Sequence, residues 1–148
     1  MLNLEDVLNE WEKDSVIDRN NPDQSTVDIA KMHSKYLRLH SLTKLQLKKT
    51  EISQKMLLKD KWLYYNGKMS AEEIDDKGWK YDPFDGLRVM KGEMDYYYNS
   101  DPDIQKTEEK ITYYKTLLET LQEIIDTIKW RHTAIGNIVK WHQFQAGG

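Results

Sequence analysis

Apolar residues recur three and four apart along most of this chain, and the places where that rhythm stops divide it into elements. Leu4, Val7, Leu8 and Trp11 follow the i, i+3, i+4, i+7 spacing, which predicts a short amphipathic helix with Asn3 as its N-cap and Glu5 and Asp6 at its positive end. Asn20-Asn21-Pro22 is turn chemistry and closes a connector that begins at Asp14. From Asp23 to about Tyr65 neither glycine nor proline occurs and the period stays helical, so a single helix of roughly 60–65 Å is expected at about 1.5 Å per residue. Asn66-Gly67 stops it. With about 100° between successive residues, Lys44, Lys48, Lys55 and Lys59 share one face with Trp62, and Leu45, Ile52, Met56 and Leu63 make an apolar stripe beside it that is expected to pack.

Asn66 to Ser100 breaks the rhythm, with Gly67, Gly78, Gly86, Gly92 and Pro83 as punctuation. Leu87-Arg88-Val89-Met90 and Met94-Asp95-Tyr96-Tyr97-Tyr98 flank Lys91-Gly92-Glu93, a pattern compatible with a small β-hairpin, which is marginal unless it packs on the helices. Ser100-Asp101-Pro102-Asp103 then opens a second long helix running to about Phe144, with a capping side chain, a proline in the first turn and an acid near the positive end. Its Ile111, Tyr114, Leu118, Leu121, Ile125, Ile128, Ile135 and Val139 keep a heptad spacing, His132 falls on the same stripe, and Leu117, Ile124 and Ile138 widen it beyond a two-stranded seam. So wide a face needs more than one neighbour. Part of it is expected to meet the first long helix, and Ile111, Leu118, Leu121, Ile125, Ile128, Ile135 and Val139 are the candidate self-association residues. The expected fold class is mainly α, with two long helices and a short N-terminal one, divided into a binding region over 1–100 and an oligomerisation helix over 101–148.

Charge changes this picture more than length does. The chain of 148 residues suits one domain with a real core, and its net charge of −3 argues against a grossly basic DNA binder. The distribution is uneven, however: Lys31 to Lys68 holds 10 of the 22 basic side chains and only two acids, Glu51 and Asp60, so it carries +8 against −11 elsewhere. A chain polarised in this way offers one surface to a polyanion and another to a basic partner or to its own copies. Without cysteine there is no disulfide, thiolate metal site or thiol nucleophile, and a reducing cytoplasm is the simplest setting. No leader pattern or membrane span is expected.

The candidate chemistry lies where the lysines run into aromatics. Lys44, Lys48, Lys49, Lys55, Lys59, Lys61 and Lys68 can meet successive phosphates, and Trp62, Tyr64 and Tyr65 offer faces on which unpaired bases stack, each stack worth roughly 1–3 kcal/mol. That combination suits single strands better than duplex. The same pattern also describes a solvated helix face above an aromatic core. Other chemistries find little support: His33 and His40, and His132 and His142, lack the spacing of a helical zinc pair, the acids between Glu72 and Asp85 form no recognisable motif, and there is no phosphate loop or nucleophile elbow. No enzyme, cofactor or metal is expected.

Leu4-Glu5-Asp6, Lys13-Asp14 with Ile17-Asp18, Ser34-Lys35 with Leu37, and His40-Ser41 form an ordered series that continues through Leu58-Lys59-Asp60-Lys61, Tyr64-Tyr65 and Gly67 to Ala134-Ile135, Ile138, Phe144 and Ala146-Gly147. In this series the chain resembles, over essentially its whole length, the UvsY family of recombination mediators from T-even-like phages. The resemblance implies a non-enzymatic protein that forms a ring-like hexamer or heptamer through its C-terminal helix and binds single-stranded DNA. It would load a phage RecA-like recombinase onto DNA covered by the phage single-strand-binding protein, in the cytoplasm of the infected host cell. A family basic pair that serves DNA binding falls here on Lys59 and Lys61, with lysine where arginine is usual and Asp60 between them. Lysine gives up bidentate phosphate geometry, so Lys44, Lys48, Lys49, Lys55 and Lys68 are expected to share the load. The alternative, from a different class, is a coiled-coil adaptor whose lysines meet an acidic protein partner.

Overall fold

A computed structural model describes residues 3–147, and among them every regular element is helical. In chain order these are α1 (Leu4–Asp14), α2 (Pro22–Tyr65), α3 (Ala71–Asp76), a 3-10 turn (Lys91–Glu93), α4 (Met94–Asn99) and α5 (Pro102–Gln145). The two long helices and the short first one occur where the periodicity puts them. Asn3 caps α1 by accepting from the Asp6 N–H at 2.8 Å. Gly67 ends α2 with a φ of 68°, which glycine adopts without penalty; its N–H bonds the Tyr64 carbonyl and the Lys68 N–H the Leu63 carbonyl, so two otherwise orphaned carbonyls are satisfied.

The chain forms two compact units, one comprising Met1–Gln46 and Tyr114–Gly148, the other Leu47–Tyr113. In the first, Val7, Tyr36, Leu121 and Ile128 are essentially inaccessible. Trp11 meets Tyr36 edge-on at 5.6 Å, and the Tyr36 hydroxyl donates to Asp14 at 2.8 Å. Lys35 bridges Glu10 and Asp14 at 3.0 and 2.8 Å. Burial by itself would raise the Asp14 carboxyl, but the bonds from Lys35 and Tyr36 outweigh it and hold it below the ordinary carboxylate range. Arg131, 6% exposed, donates to the Ser15 and Val16 carbonyls at 3.0 and 2.9 Å and so satisfies the backbone that leaves α1. His132, which the heptad places on the buried stripe, is instead exposed, because this arginine occupies the inward position.

In the second unit Tyr64, Tyr65, Met69 and Ile74 form a core against which Leu63, Trp79, Phe84, Tyr97 and Tyr98 pack. This arrangement replaces the hairpin. Met94, Tyr97 and Tyr98 are half-buried while Asp95, Tyr96 and Asn99 are exposed, which is the i, i+3, i+4 pattern of a helix presenting one face to an aromatic cluster.

The apolar stripe of α2 also departs from expectation. Leu45, Ile52 and Met56 are 69%, 51% and 67% exposed, and only Leu63 reaches a core. Besides Ser25, Lys61 and Tyr65, the buried positions of the helix are Tyr36, Thr43, Thr50 and Tyr64, on a seven-residue series in which Leu57 is half-buried, so a partly polar row faces inward. Thr43 makes this tolerable by donating to the Leu39 carbonyl of its own helix at 2.8 Å.

Candidate nucleic-acid interface

Helix geometry decides which lysines of α2 can meet a ligand. At about 100° per residue, Lys48, Lys55 and Lys59 lie within about 40° of one another, roughly opposite the inward row of Thr50, Leu57 and Tyr64. All three are exposed, as is Lys49 on the flank. Lys44, which belongs to the first unit, is exposed as well. Trp62 is 48% exposed near the same line, and the Lys68 ammonium stands 4.7 Å from its ring centroid. Cations therefore lie about one or two turns apart along a solvated face that ends in an accessible aromatic ring. Such a face can neutralise successive phosphates and stack a base.

Lys61 and Tyr65 are not on it. Two helical steps turn the chain through about 200°, so Lys59 and Lys61 point to opposite sides of α2. Lys61 is 4% exposed, with its ammonium 3.0 Å from Asp101, 2.9 Å from Asp103 and 3.8 Å from the centre of the Trp79 ring. Tyr65 is 9% exposed and its hydroxyl donates to Asp101 at 2.6 Å. Asp101 uses its other oxygen to cap α5, accepting from the Asp103 and Ile104 N–H groups at 2.9 and 3.2 Å. Burial alone would raise this carboxyl, but the bonds from Tyr65, Lys61 and Ile104 prevail and hold it below the usual range. For Tyr65, burial comes first among the causes and the neighbouring Asp101 second; together they push its hydroxyl far above the usual phenol range. The corrected reading is structural. Lys61 neutralises two acids at the first turn of α5 and Tyr65 packs the core, so neither offers a free group to a strand.

Of the self-association candidates, five are taken up within the chain and two stay partly open. Ile111, Leu121, Ile125, Ile128 and Ile135 are at most 8% exposed within the single chain, and Leu118 and Val139 are half-buried. The apolar groups that α5 leaves open are Trp130, Trp141 and Phe144, exposed by 72%, 58% and 70%, the last two stacked at 5.6 Å. With Ala134 and Asn137 between them they too recur four and three apart. Sequence reasoning passed over this second stripe because the aliphatic one beside it is wider. Among the described residues no three His, Asp or Glu side chains gather as a metal site, and no helix is long and apolar enough to cross a membrane.

A family model described as "Recombination, repair and ssDNA binding protein UvsY" matches residues 10–148. The chain belongs to the UvsY family. The recombination protein uvsY of Enterobacteria phage T4 is 30% identical over 146 residues, covering 99% of each chain. Crystal structures of the bacteriophage T4 recombination mediator protein UvsY superpose with TM-scores of 0.81 and 0.78 in two lattice types, at 29% and 27% identity, covering 99% and 97% of this chain and 99% of the other in each case. Membership in the UvsY family thus accounts for the long-helix architecture. At this identity the assignment of individual lysines rests on the geometry above.

Proposed function

We propose that this protein is a recombination mediator that holds single-stranded DNA along the exposed lysine face of α2 and delivers it to a phage RecA-like recombinase. The observation that carries the reading is the row of Lys48, Lys55 and Lys59 opposite the buried side of the helix and leading to Trp62, in a chain of the UvsY family. Each lysine contributes a weak, salt-sensitive contact, and repetition in a homo-oligomer multiplies such contacts into a firm grip. Lys44, Lys49 and Lys68 extend the face. A strand bent around a ring of subunits would be held less firmly by the single-strand-binding protein that covers it while staying open to recombinase, in the cytoplasm of the infected host.

We assign self-association to the C-terminal part of α5 through Trp130, Trp141 and Phe144, because large exposed aromatic side chains in a row need a partner surface. Replacing Trp130 and Trp141 together with Glu is expected to reduce the particle mass in light scattering while leaving the helical circular dichroism intact. An unchanged mass would refute that surface. For the mediator role, the chain should shorten the lag before a RecA-like recombinase hydrolyses ATP on single-stranded DNA precovered with the phage single-strand-binding protein; an unaltered lag at saturating protein would exclude it. Leu45, Ile52 and Met56, open beside the lysines, favour one second reading, an acidic protein segment on this same face. Failure to bind any oligonucleotide at low salt would place that reading first.

A further inference from the structure

Beside the lysine face, the end of α2 and α4 enclose a half-open cleft of about 320 Å³ lined by Trp62, Tyr65, Asn66, Lys91, Met94, Asp95 and Tyr98. That volume is at the lower end for small-molecule sites. We propose that this cleft receives one unstacked nucleobase of the bound strand and prefers guanine; the proposal rests on the strand-binding reading and deepens it.

Three features of the walls define the ligand. First, the cleft is flanked by flat and soft apolar groups: Trp62, half-exposed, Tyr98 and Met94, both half-buried. These suit the faces of a planar heteroaromatic ring. Second, the wall group that singles out a base edge is a carboxylate, Asp95. The Asn66 amide nitrogen donates one of its two hydrogens to the Trp62 carbonyl at 2.8 Å, which leaves its second N–H and its oxygen for a ligand. The Tyr65 hydroxyl is given to Asp101 and so brings no donor. Asp95 is exposed and, among the described residues, enters no ion pair. Third, cations stand at the rim. Lys91 lines the cleft and the Lys68 ammonium lies over Trp62 at 4.7 Å, in position for the phosphates on either side of an inserted nucleotide.

A carboxylate with both oxygens available is met best by two adjacent N–H donors. Guanine presents them, N1–H and N2–H, on its Watson–Crick edge. Adenine offers one there beside an acceptor, cytosine one and thymine one between two carbonyl oxygens. Unpaired bases are read on this edge while their faces stack. The cleft thus gives the region between Asn66 and Ser100 a task in setting the register of the strand.

Binding of labelled oligothymidylate of about 15 nucleotides, a length within reach of one or a few subunits, would be compared by anisotropy with the same strand carrying one central guanine or adenine. The full-length protein should bind the guanine strand at least about fivefold more tightly than oligothymidylate, the low end for a bidentate base contact, and gain less from adenine. Asp95→Asn should erase the guanine preference, read as the ratio of the affinities for the guanine and oligothymidylate strands, while leaving the melting temperature unchanged. Equal affinity for the three strands, or a guanine preference that survives Asp95→Asn, would overturn the cleft assignment with strand binding intact. Failure to bind any of the three would instead overturn the strand-binding reading itself, and this one with it.

Discussion

Over about four turns, α2 uses lysine in two opposed ways. Lys48, Lys55 and Lys59 extend from its outer face into solvent, whereas Lys61 is buried against Asp101, Asp103 and the Trp79 ring. Removing a charge from water costs several kcal/mol, and one carboxylate seldom repays that. Here two carboxylates, an aromatic face and a shared tyrosine hydroxyl surround the ion, and one of those carboxylates also caps α5. Among the described residues the outer lysines have no such partners, and they stand exposed to solvent. What a basic residue does is thus set by its angle on the helix and by what the rest of the chain brings to that angle.

Lys61→Ala gives the largest expected effect. It strands Asp101 in a buried site and should cost about 3–5 kcal/mol of unfolding free energy in urea titration, against a change within about 0.5 kcal/mol for the exposed Lys59→Ala. A Lys61→Ala protein of full stability but weakened strand binding would break the contrast. Tyr65→Phe removes one hydrogen bond to a buried carboxylate and should cost about 1.5–3 kcal/mol, with the oligonucleotide affinity of the folded protein unchanged. The smallest effect is in pH. Asp101 is held below its ordinary value, so the unfolded chain binds its proton first as acid is added, and the stability this group provides is present above about pH 4 and is lost as pH falls through the lower folded value. Asp14 acts in the same direction. Tyr65→Phe should make the acid decline shallower, since the Asp101 carboxyl then moves back up; an identical decline would separate it from this network.

The architecture was legible because long glycine-free runs and strong caps leave the backbone few choices. Asn3, Asn66-Gly67 and Asp101-Pro102 mark ends that the structure reproduces. Packing was less so. The seam of α2 runs through Thr43 and Thr50 rather than through Leu45, Ile52 and Met56, and a pattern search that rewards apolar residues selects the wrong face. The helix over Met94–Asn99 was visible in Met94, Tyr97 and Tyr98 at i, i+3, i+4, but the flanking glycine drew attention to a turn. For Lys61, the 200° between it and Lys59 already ruled out a shared face. Which of the two lay inside depended on Asp101, forty residues later, and no local pattern carries that information.

The most direct test is the salt dependence of oligonucleotide binding for the protein and for its Lys48→Ala, Lys55→Ala, Lys59→Ala triple variant. Each phosphate that a lysine no longer neutralises lowers the slope of log affinity against log salt by about 0.7 on a single strand, so the variant should show a slope shallower by about 2 with its melting temperature and particle mass preserved. An identical slope in a folded, assembled variant would contradict the account and move the strand to another face of the molecule.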